Sequence, residues 1–175
     1  MSTVTIARPG ADEHTAYFGK YVARVPDGDL VALLRTQIAD TTAMLRRSRD
    51  RADFAYAPGK WTVKQVVGHM SDVERVMAYR ALTIARNDQT PLPGFDENAW
   101  VDNANFATRT LDDLVDEFEA VRASTLQLAS HLDASDFTRR GTSNGNPMSV
   151  RALFYIIAGH ERHHVSLFGE RYNLR

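Results

Sequence analysis

The sequence contains no cysteine. This absence excludes disulfide bonds, thiolate ligands for a metal ion and a cysteine nucleophile, and it is in keeping with a reducing compartment. A metal ion bound by this chain must therefore be held by histidine, carboxylate or water ligands.

An excess of charge of either sign is also missing. Lys and Arg number 21 against 22 Asp and Glu, which gives a formal net charge of -1. Nucleic acids and anionic membranes attract chains with a positive surplus, so we expect neither as a partner. No apolar run approaches the length of a membrane span, and the N-terminus lacks the pattern of a secretory signal. The sequence therefore predicts a cytoplasmic protein.

Strand signals are scarce, and helical periodicity dominates the chain. With 175 residues, 43% of them hydrophobic, the chain is long enough for one domain with a continuous core. Four segments place apolar residues on one helix face. They begin near Asp27 or Asp29, at Thr62, at Thr110 and at about Ser149. We predict an all-α four-helix bundle over residues 26–175, preceded by a loosely structured arm over residues 1–25 that packs on the bundle or on a partner subunit.

Two connections in this predicted bundle have a character of their own. A long, irregular connection joins the second and third helices, and Phe95, Trp100 and Phe106 within it could line a substrate pocket or cover one end of the bundle. Before the last helix, Asn144 and Gly145 predict a tight turn that fits a small hairpin.

Two histidines occupy the apolar stripe of the last helix. His160 and His164 continue the spacing of Leu153 and Ile157, and residues four apart lie one turn apart on the same face. This arrangement can present two imidazole nitrogens to one ion. Burying two imidazoles without a shared partner would cost several kcal/mol, so the pair favours a common ligand.

His69 repeats the pattern on the second helix, where Val66 and Val73 flank it at helical spacing. A single inward histidine is more often a hydrogen-bonded core residue than a ligand, so the core interpretation is favoured for His69 taken by itself. Asp72 and Glu74 lie within about a turn of it. They could accept a hydrogen bond from its other ring nitrogen, or they could be ordinary solvated charges.

The segment from His160 to His164 also matches the H-E-x-x-H pattern of zinc metalloproteases, in which the glutamate activates a bound water. The third ligand that such enzymes carry downstream is missing, because Val165–Arg175 contains no histidine and one carboxylate, Glu170. We therefore interpret Glu161 mainly as a carboxylate on the surface or beside the site. A catalytic base is the less favoured alternative.

Two stretches of the sequence resemble signatures of the DinB-like (DinB/YfiT-type) superfamily. The first runs from Pro58 to Glu74 and the second from Ala158 to His164, and the likeness covers roughly Arg24–Tyr172. The resemblance implies a four-helix bundle of up-down-down-up order that is commonly dimeric, so a homodimer is expected.

The same resemblance implies a metal site. Its ligands would be His69, His160 and His164, holding one divalent ion such as zinc, nickel or iron, and His163 would be a neighbour of the site. Members with a known activity are mostly transferases of low-molecular-weight bacterial thiols such as bacillithiol or mycothiol, or thiol-dependent isomerases.

What the resemblance implies about function is a metal-dependent enzyme that transfers a low-molecular-weight thiol to a small electrophilic substrate. An open metal site can also lower the pKa of water, so hydrolysis of a small substrate stays open. The alternative is a non-catalytic dimeric bundle with a stress-response role, in which the ion only joins two helices.

Overall fold

The computed structural model describes residues 6–175, and four long helices form its body. They are α2 (Leu30–Arg47), α3 (Val63–Ala85), α5 (Leu111–Ser130) and α7 (Val150–Glu170). The shorter elements are α1 (Ala16–Val22), α4 (Glu97–Asn103), α6 (Ala134–Phe137), strands β1 (Arg140–Ser143) and β2 (Asn146–Ser149), and 3-10 turns at Ala11–Glu13, Arg49–Arg51 and Phe106–Thr108. The predicted all-α four-helix bundle is confirmed.

Each long helix begins at a residue whose side chain accepts hydrogen bonds from backbone N–H groups of the first turn. These residues are Asp29, Thr62, Thr110 and Ser149. At Thr62 the bond is reciprocal, because the Gln65 side chain accepts from the Thr62 N–H at 2.8 Å. Such caps satisfy donors that have no partner within the helix, which is why the helices start at these residues.

Contacts between the helices confirm the up-down-down-up order. Arg46, at the end of α2, pairs with Asp112 at the start of α5, so these helices run antiparallel. Lys64, at the start of α3, donates to the carbonyl of Ala107 just before α5, so α3 and α5 run parallel. The second half of α7 meets the first half of α3 at the histidines described below, so these two are antiparallel.

A buried polar layer divides the core into two apolar clusters. One cluster includes Val73 and Met77 of α3 with the first half of α7, and the other includes Val66 and Met70 of α3 with Phe168. Along α2, α5 and α7 the polar layer lies between the residues of the two clusters, and on α3 it lies where one cluster gives way to the other. Its members are Gln37, Thr41, His69, Glu74, Arg122, Thr125, His160, Glu161 and His164.

The N-terminal segment is better ordered than the sequence suggested. Residues 1–5 of the predicted arm lie outside the described residues, but α1 packs against α7, with Tyr21 and Val22 buried. Most of residues 11–22 are therefore helical rather than loosely structured, and they pack on the bundle, one of the two places that the sequence allowed for the arm. Among residues 6–175, no helix combines the length and the apolar character that crossing a bilayer requires.

The predicted turn at Asn144 and Gly145 is confirmed. Both residues have positive φ, 50° and 72°, as the tight turn between β1 and β2 requires. The long connection after α3 is tied to this hairpin, because the Leu92 N–H donates to the Thr142 carbonyl at 2.9 Å and the Leu92 carbonyl accepts from the Asn144 N–H at 2.8 Å. The connection contains α4, which the sequence did not predict.

Candidate metal centre

The structure brings together the three histidines that the sequence singled out. His160 Nε2 lies 3.1 Å from His69 Nε2 and 3.1 Å from His164 Nε2. All three side chains are buried, and one ligand atom from each lies within 4.8 Å of the others. One helix supplies two of the nitrogens at adjacent turns, and the antiparallel α3 supplies the third.

The hydrogen-bonding capacity of these nitrogens explains why the cluster fits a cation. A ring nitrogen either carries one hydrogen or offers one lone pair, so it forms one good hydrogen bond in the ring plane. His160 Nε2 has two nitrogen neighbours at hydrogen-bonding distance, and only one of these contacts can be a hydrogen bond. A single cation among the three nitrogens could use all three lone pairs, and three histidines are an established ligand set for divalent metals.

Burial keeps the three rings in the form that binds metals. Burial lowers the pKa of His69 to about 4 and holds the pKa of His160 and of His164 well below the ordinary value of 6.5. The imidazoles are therefore neutral at pH 7, and neutral imidazole is the ligand form. In His164 the other nitrogen, Nδ1, is buried and has no hydrogen-bond partner among residues 6–175. This ring is therefore held by its Nε2 contact and by packing against the rings of His69, His160 and His163, not by a hydrogen bond at Nδ1.

Aromatic rings surround the cluster. The centroid of Trp61 lies 4.8 Å from that of His69, and Tyr21 of α1 packs edge-on against His160 at 5.4 Å and against His163 at 5.6 Å. His163 is not a member of the group of three. These rings limit the access of water to the nitrogens.

Glu161 is not placed to act as a catalytic base. Glu161 is 1% exposed, and its carboxylate lies in an ion pair with Arg122 at 2.8 Å. It also accepts hydrogen bonds from Thr41 at 2.6 Å and from Gln37 at 2.9 Å. Both oxygens are thus occupied inside the bundle, so the geometry argues against the base role. Of the two places that the sequence allowed for Glu161, the surface is wrong, and the side chain lies buried beside the site.

Arg122 joins two carboxylates in this buried layer. Its Nε and Nη2 donate to the two oxygens of Glu74, each at 2.8 Å, and Nη1 reaches both Glu161 and the Leu34 carbonyl. Glu74 is therefore not the partner of His69 that the sequence allowed, and Asp72 pairs with Arg75. One guanidinium faces two carboxylates beside the histidines, an arrangement that favours a nearby cation.

A cavity of about 600 Å³ opens beside His160. It lies between α1, α3, α7, the hairpin and the connection before α4. Its lining includes Tyr21, Val73, Met77, Arg80, Phe95, Asn144, Ile156 and His160. A space of this size accommodates a small organic molecule in contact with the histidine cluster.

The three aromatic residues of the long connection have different positions. Phe95 lines the cavity, and Trp100 stacks on Phe95 with 4.7 Å between ring centroids. Phe106 instead packs on Gly68 of α3, so closely that a Cβ at Gly68 would be 2.5 Å from its ring. The pocket-lining role thus applies to Phe95, and Phe106 covers the bundle.

Comparison with known families gives one clear assignment. The model of the DinB superfamily matches residues 32–168 of this chain. The chain belongs to the DinB superfamily.

Two related bacterial proteins are named as metal-dependent hydrolases. A protein of Oceanobacillus iheyensis named "Putative metal-dependent hydrolase" is 26% identical over 141 residues, which are 79% of this chain and 77% of that protein. A protein of Bacillus licheniformis with the same description is 25% identical over 130 residues, 71% of this chain and 72% of the relative.

Two solved structures share the DinB-superfamily fold of this chain. One is YfiT from Bacillus subtilis, described as "a probable metal-dependent hydrolase with an unusual four-helix bundle topology", with a TM-score of 0.70, 18% identity and coverage of 86% of this chain and 91% of YfiT. The other is a mycothiol-dependent maleylpyruvate isomerase, with a TM-score of 0.66, 12% identity and coverage of 83% and 61%. At these identities the likeness concerns the fold.

Two arginines in this DinB-superfamily fold were missed by the sequence analysis. Arg80 lies on the same stripe of α3 as Val73 and Met77, and Arg122 lies on the inner side of α5. A charged residue at an apolar position of a helical pattern was the available signal, the same signal that identified the histidines.

Proposed function

We propose that this chain is a metal-dependent enzyme of the DinB superfamily, which binds one divalent ion through His69, His160 and His164. The observation that carries the proposal is the convergence of three buried, neutral histidine rings, one of which, His160, lines a cavity. Relatives named as metal-dependent hydrolases support it. A bound ion would supply Lewis acidity, which lowers the pKa of a thiol or a water molecule that enters the site.

The reaction that we favour is the transfer of a low-molecular-weight thiol to a small electrophile. The chain has no cysteine, so the thiol must enter as a second substrate. The cavity beside His160 is large enough for a small electrophile, and the solved structure of a mycothiol-dependent isomerase with this fold supports a thiol as cosubstrate. Hydrolysis is the second candidate, favoured by the names of the relatives.

The first experiment measures metal per chain. We would purify the protein without a polyhistidine tag and measure bound metal by elemental mass spectrometry, together with His69→Ala, His160→Ala and the matched control His163→Ala. We expect close to one divalent ion in the wild type and in His163→Ala, and a large loss in the other two. Folded wild-type protein that takes up no zinc, nickel or iron would overturn the proposal.

The second experiment separates the two reactions. The metal-loaded protein would be incubated with 1-chloro-2,4-dinitrobenzene or 4-nitrophenyl acetate, each with and without bacillithiol or mycothiol. Thiol-dependent consumption that is lost in His160→Ala indicates thiol transfer, and consumption without a thiol indicates hydrolysis. Stoichiometric metal with neither reaction, across a wider panel of electrophiles, would favour the non-catalytic bundle.

A further inference from the structure

Arg80 is a buried cation without a counter-ion. Its side chain is 4% exposed, on α3 between the histidine cluster and the hairpin. Nη2 donates to the Pro93 carbonyl at 2.6 Å, and Nη1 contacts the Met77 sulfur at 3.7 Å. Among residues 6–175, no carboxylate oxygen lies within 4.0 Å of its guanidinium nitrogens.

This situation is unusual and differs from that of the other buried arginine. Arg122 is balanced by two carboxylates, which raise its pKa, whereas burial alone lowers the pKa of Arg80. A guanidinium stays protonated in proteins, so Arg80 is a real positive charge with little solvent around it. Buried charges are normally paired, and an unpaired one is expensive, which calls for a ligand that supplies the missing charge.

Arg80 faces the same cavity as the candidate metal centre. Arg80 and His160 both line this space of about 600 Å³, and the Phe95 ring centroid lies 5.7 Å from the guanidinium carbon. Val73, Met77 and Ile156 make much of the remaining lining apolar. A small molecule in the cavity could therefore meet Arg80 with one group and the metal centre with another.

The acidic residues at the cavity do not neutralise Arg80. The Asp96 carboxylate caps α4, accepting from the N–H groups of Asn98 and Ala99 at 3.0 and 3.1 Å. Glu97 also lines the cavity but lies beyond 4.0 Å from any guanidinium. Each wall carboxylate repels a ligand anion in proportion to the anion's charge, so a group of a single negative charge at Arg80 is disfavoured less than a phosphate dianion.

We infer that Arg80 binds the carboxylate of the small molecule that the cavity accepts, so that the substrate class is an electrophile bearing a carboxylate. A planar guanidinium matches a planar carboxylate with two parallel hydrogen bonds. The inference about the substrate rests on the proposed function, whereas the anion preference of the cavity does not depend on metal or catalysis. Arg80 sets specificity, and the metal centre acts on another part of the same molecule.

The test uses two probes that differ only in charge. 3-Phenylpropionate and 3-phenylpropionamide would be titrated into the full chain and followed by ¹H–¹⁵N NMR. A hydrogen bond to a charged group contributes about 1.5 to 3 kcal/mol, so we expect the carboxylate to bind about 10- to 100-fold more tightly than the amide. Arg80→Met should abolish this preference, Arg80→Lys should retain part of it, and Arg86→Met on the exposed end of α3 should leave it unchanged.

Two controls keep this test separate from the proposed function: the metal content of Arg80→Met, and the binding of both probes to the metal-free variant His160→Ala. Arg80→Met is expected to bind metal like the wild type, and His160→Ala is expected to keep the carboxylate preference without metal. Equal affinity of the two probes, or a preference that survives in a folded Arg80→Met variant, overturns the inference. Tighter binding of phenyl phosphate than of 3-phenylpropionate overturns the assignment to a carboxylate.

Discussion

The role of Glu161 is decided by its two oxygens and by Arg122. Breaking a buried ion pair from one side leaves the other charge uncompensated. We expect Arg122→Met to lower the free energy of unfolding by about 3 to 5 kcal/mol, because it leaves both Glu74 and Glu161 unpaired. Glu161→Gln should cost less, about 1 to 3 kcal/mol, because Arg122 keeps Glu74 and the amide can still accept hydrogen bonds. Urea unfolding followed by circular dichroism measures both.

Metal content distinguishes this structural role of Glu161 from a catalytic one. The Glu161→Gln variant is expected to keep its metal and most of its turnover per folded molecule. A variant of unchanged stability that binds metal normally but has lost its activity would contradict the structural role and favour the catalytic base, the alternative that the H-E-x-x-H pattern left open.

For single residues, the sequence predicts which histidines face the core better than it predicts what a buried side chain contacts. His69, His160 and His164 were predictable, because a polar residue on an apolar stripe stands out. The environment of Glu161 was not, because α7 is buried on nearly all sides from Val150 to Glu161. In such a helix the neighbour of an inward histidine is also buried. The sequence does not show that Arg122 of α5 pairs with it.

The packing of α1 on α7 depends on Gly159. A Cβ at this position would lie 2.0 Å from the Tyr21 carbonyl oxygen, which belongs to the backbone and cannot turn away. We expect Gly159→Ala to displace α1, to lower the free energy of unfolding by about 1 to 3 kcal/mol and to weaken ligand binding in the cavity that Tyr21 lines. Thermal unfolding and probe titration measure these effects.

The same helix offers a matched control for that substitution. A Cβ at Gly169 would meet nothing within 4 Å, and alanine is the better helix former by up to about 1 kcal/mol. Gly169→Ala should therefore leave stability unchanged or raise it. If the two substitutions had the same effect, close packing of α1 at Gly159 would not be the reason.

A second contact that holds the N-terminal segment is sensitive to pH. The Arg151 side chain, hydrogen-bonded to the buried Glu13, lowers the pKa of Glu13 from 4.5 to about 2. Because the folded-state pKa is the lower one, the stabilisation is complete above pH 4.5 and is lost as pH falls through 2. Glu13→Gln should cost about 3 kcal/mol at pH 7 and about 2 kcal/mol at pH 3.5.

Urea unfolding of wild type and variant at the two pH values tests this dependence. Asp27→Asn provides the control, since Asp27 pairs with Arg8 at the surface with 94% of its side chain exposed, and exposed pairs contribute about 1 kcal/mol or less. A cost of Glu13→Gln that stays constant between pH 7 and pH 3.5 would argue against the ion pair with Arg151.

Elements with long periodic patterns were predictable, and short ones were not. The starts of α2, α3, α5 and α7 agree with the predicted caps to within a residue or two. The short helices α1 and α4 have seven residues each, too few for a stable helix in isolation, and they depend on tertiary contacts such as that at Gly159. Sequence patterns describe such contacts poorly, because the partner lies far away along the chain.

At the scale of the whole molecule, a polar layer connects all four long helices. α2 contributes Gln37 and Thr41, α5 contributes Arg122, and α3 and α7 contribute the histidines and the two glutamates. The predicted four-helix topology was available from the family resemblance, but the layer required the contacts between helices. Two further expectations, a homodimer and a cytoplasmic location, stay predictions.

This layer also predicts how metal affects the stability of the whole fold. The three histidines lie on two helices and meet only in the folded chain, so a metal that binds there binds the native state preferentially. Free metal at about 100 times its dissociation constant should raise the free energy of unfolding by about 2.7 kcal/mol, a shift of several degrees in the unfolding temperature. Thermal unfolding with added zinc or nickel, and then with a chelator, measures the shift.

Two variants test whether the thermal shift comes from metal bound at the three histidines. His69→Ala removes the only ligand from α3 and should abolish most of the thermal shift, although both histidines of α7 remain. His163→Ala should respond to metal like the wild type, because His163 lies outside the group of three. A shift that is equal in all three proteins would locate the ion elsewhere on the chain. If the wild type bound metal without any thermal shift, the ion would bind the folded and the unfolded chain equally well. This outcome would contradict a site that is built from two helices and exists only in the folded chain.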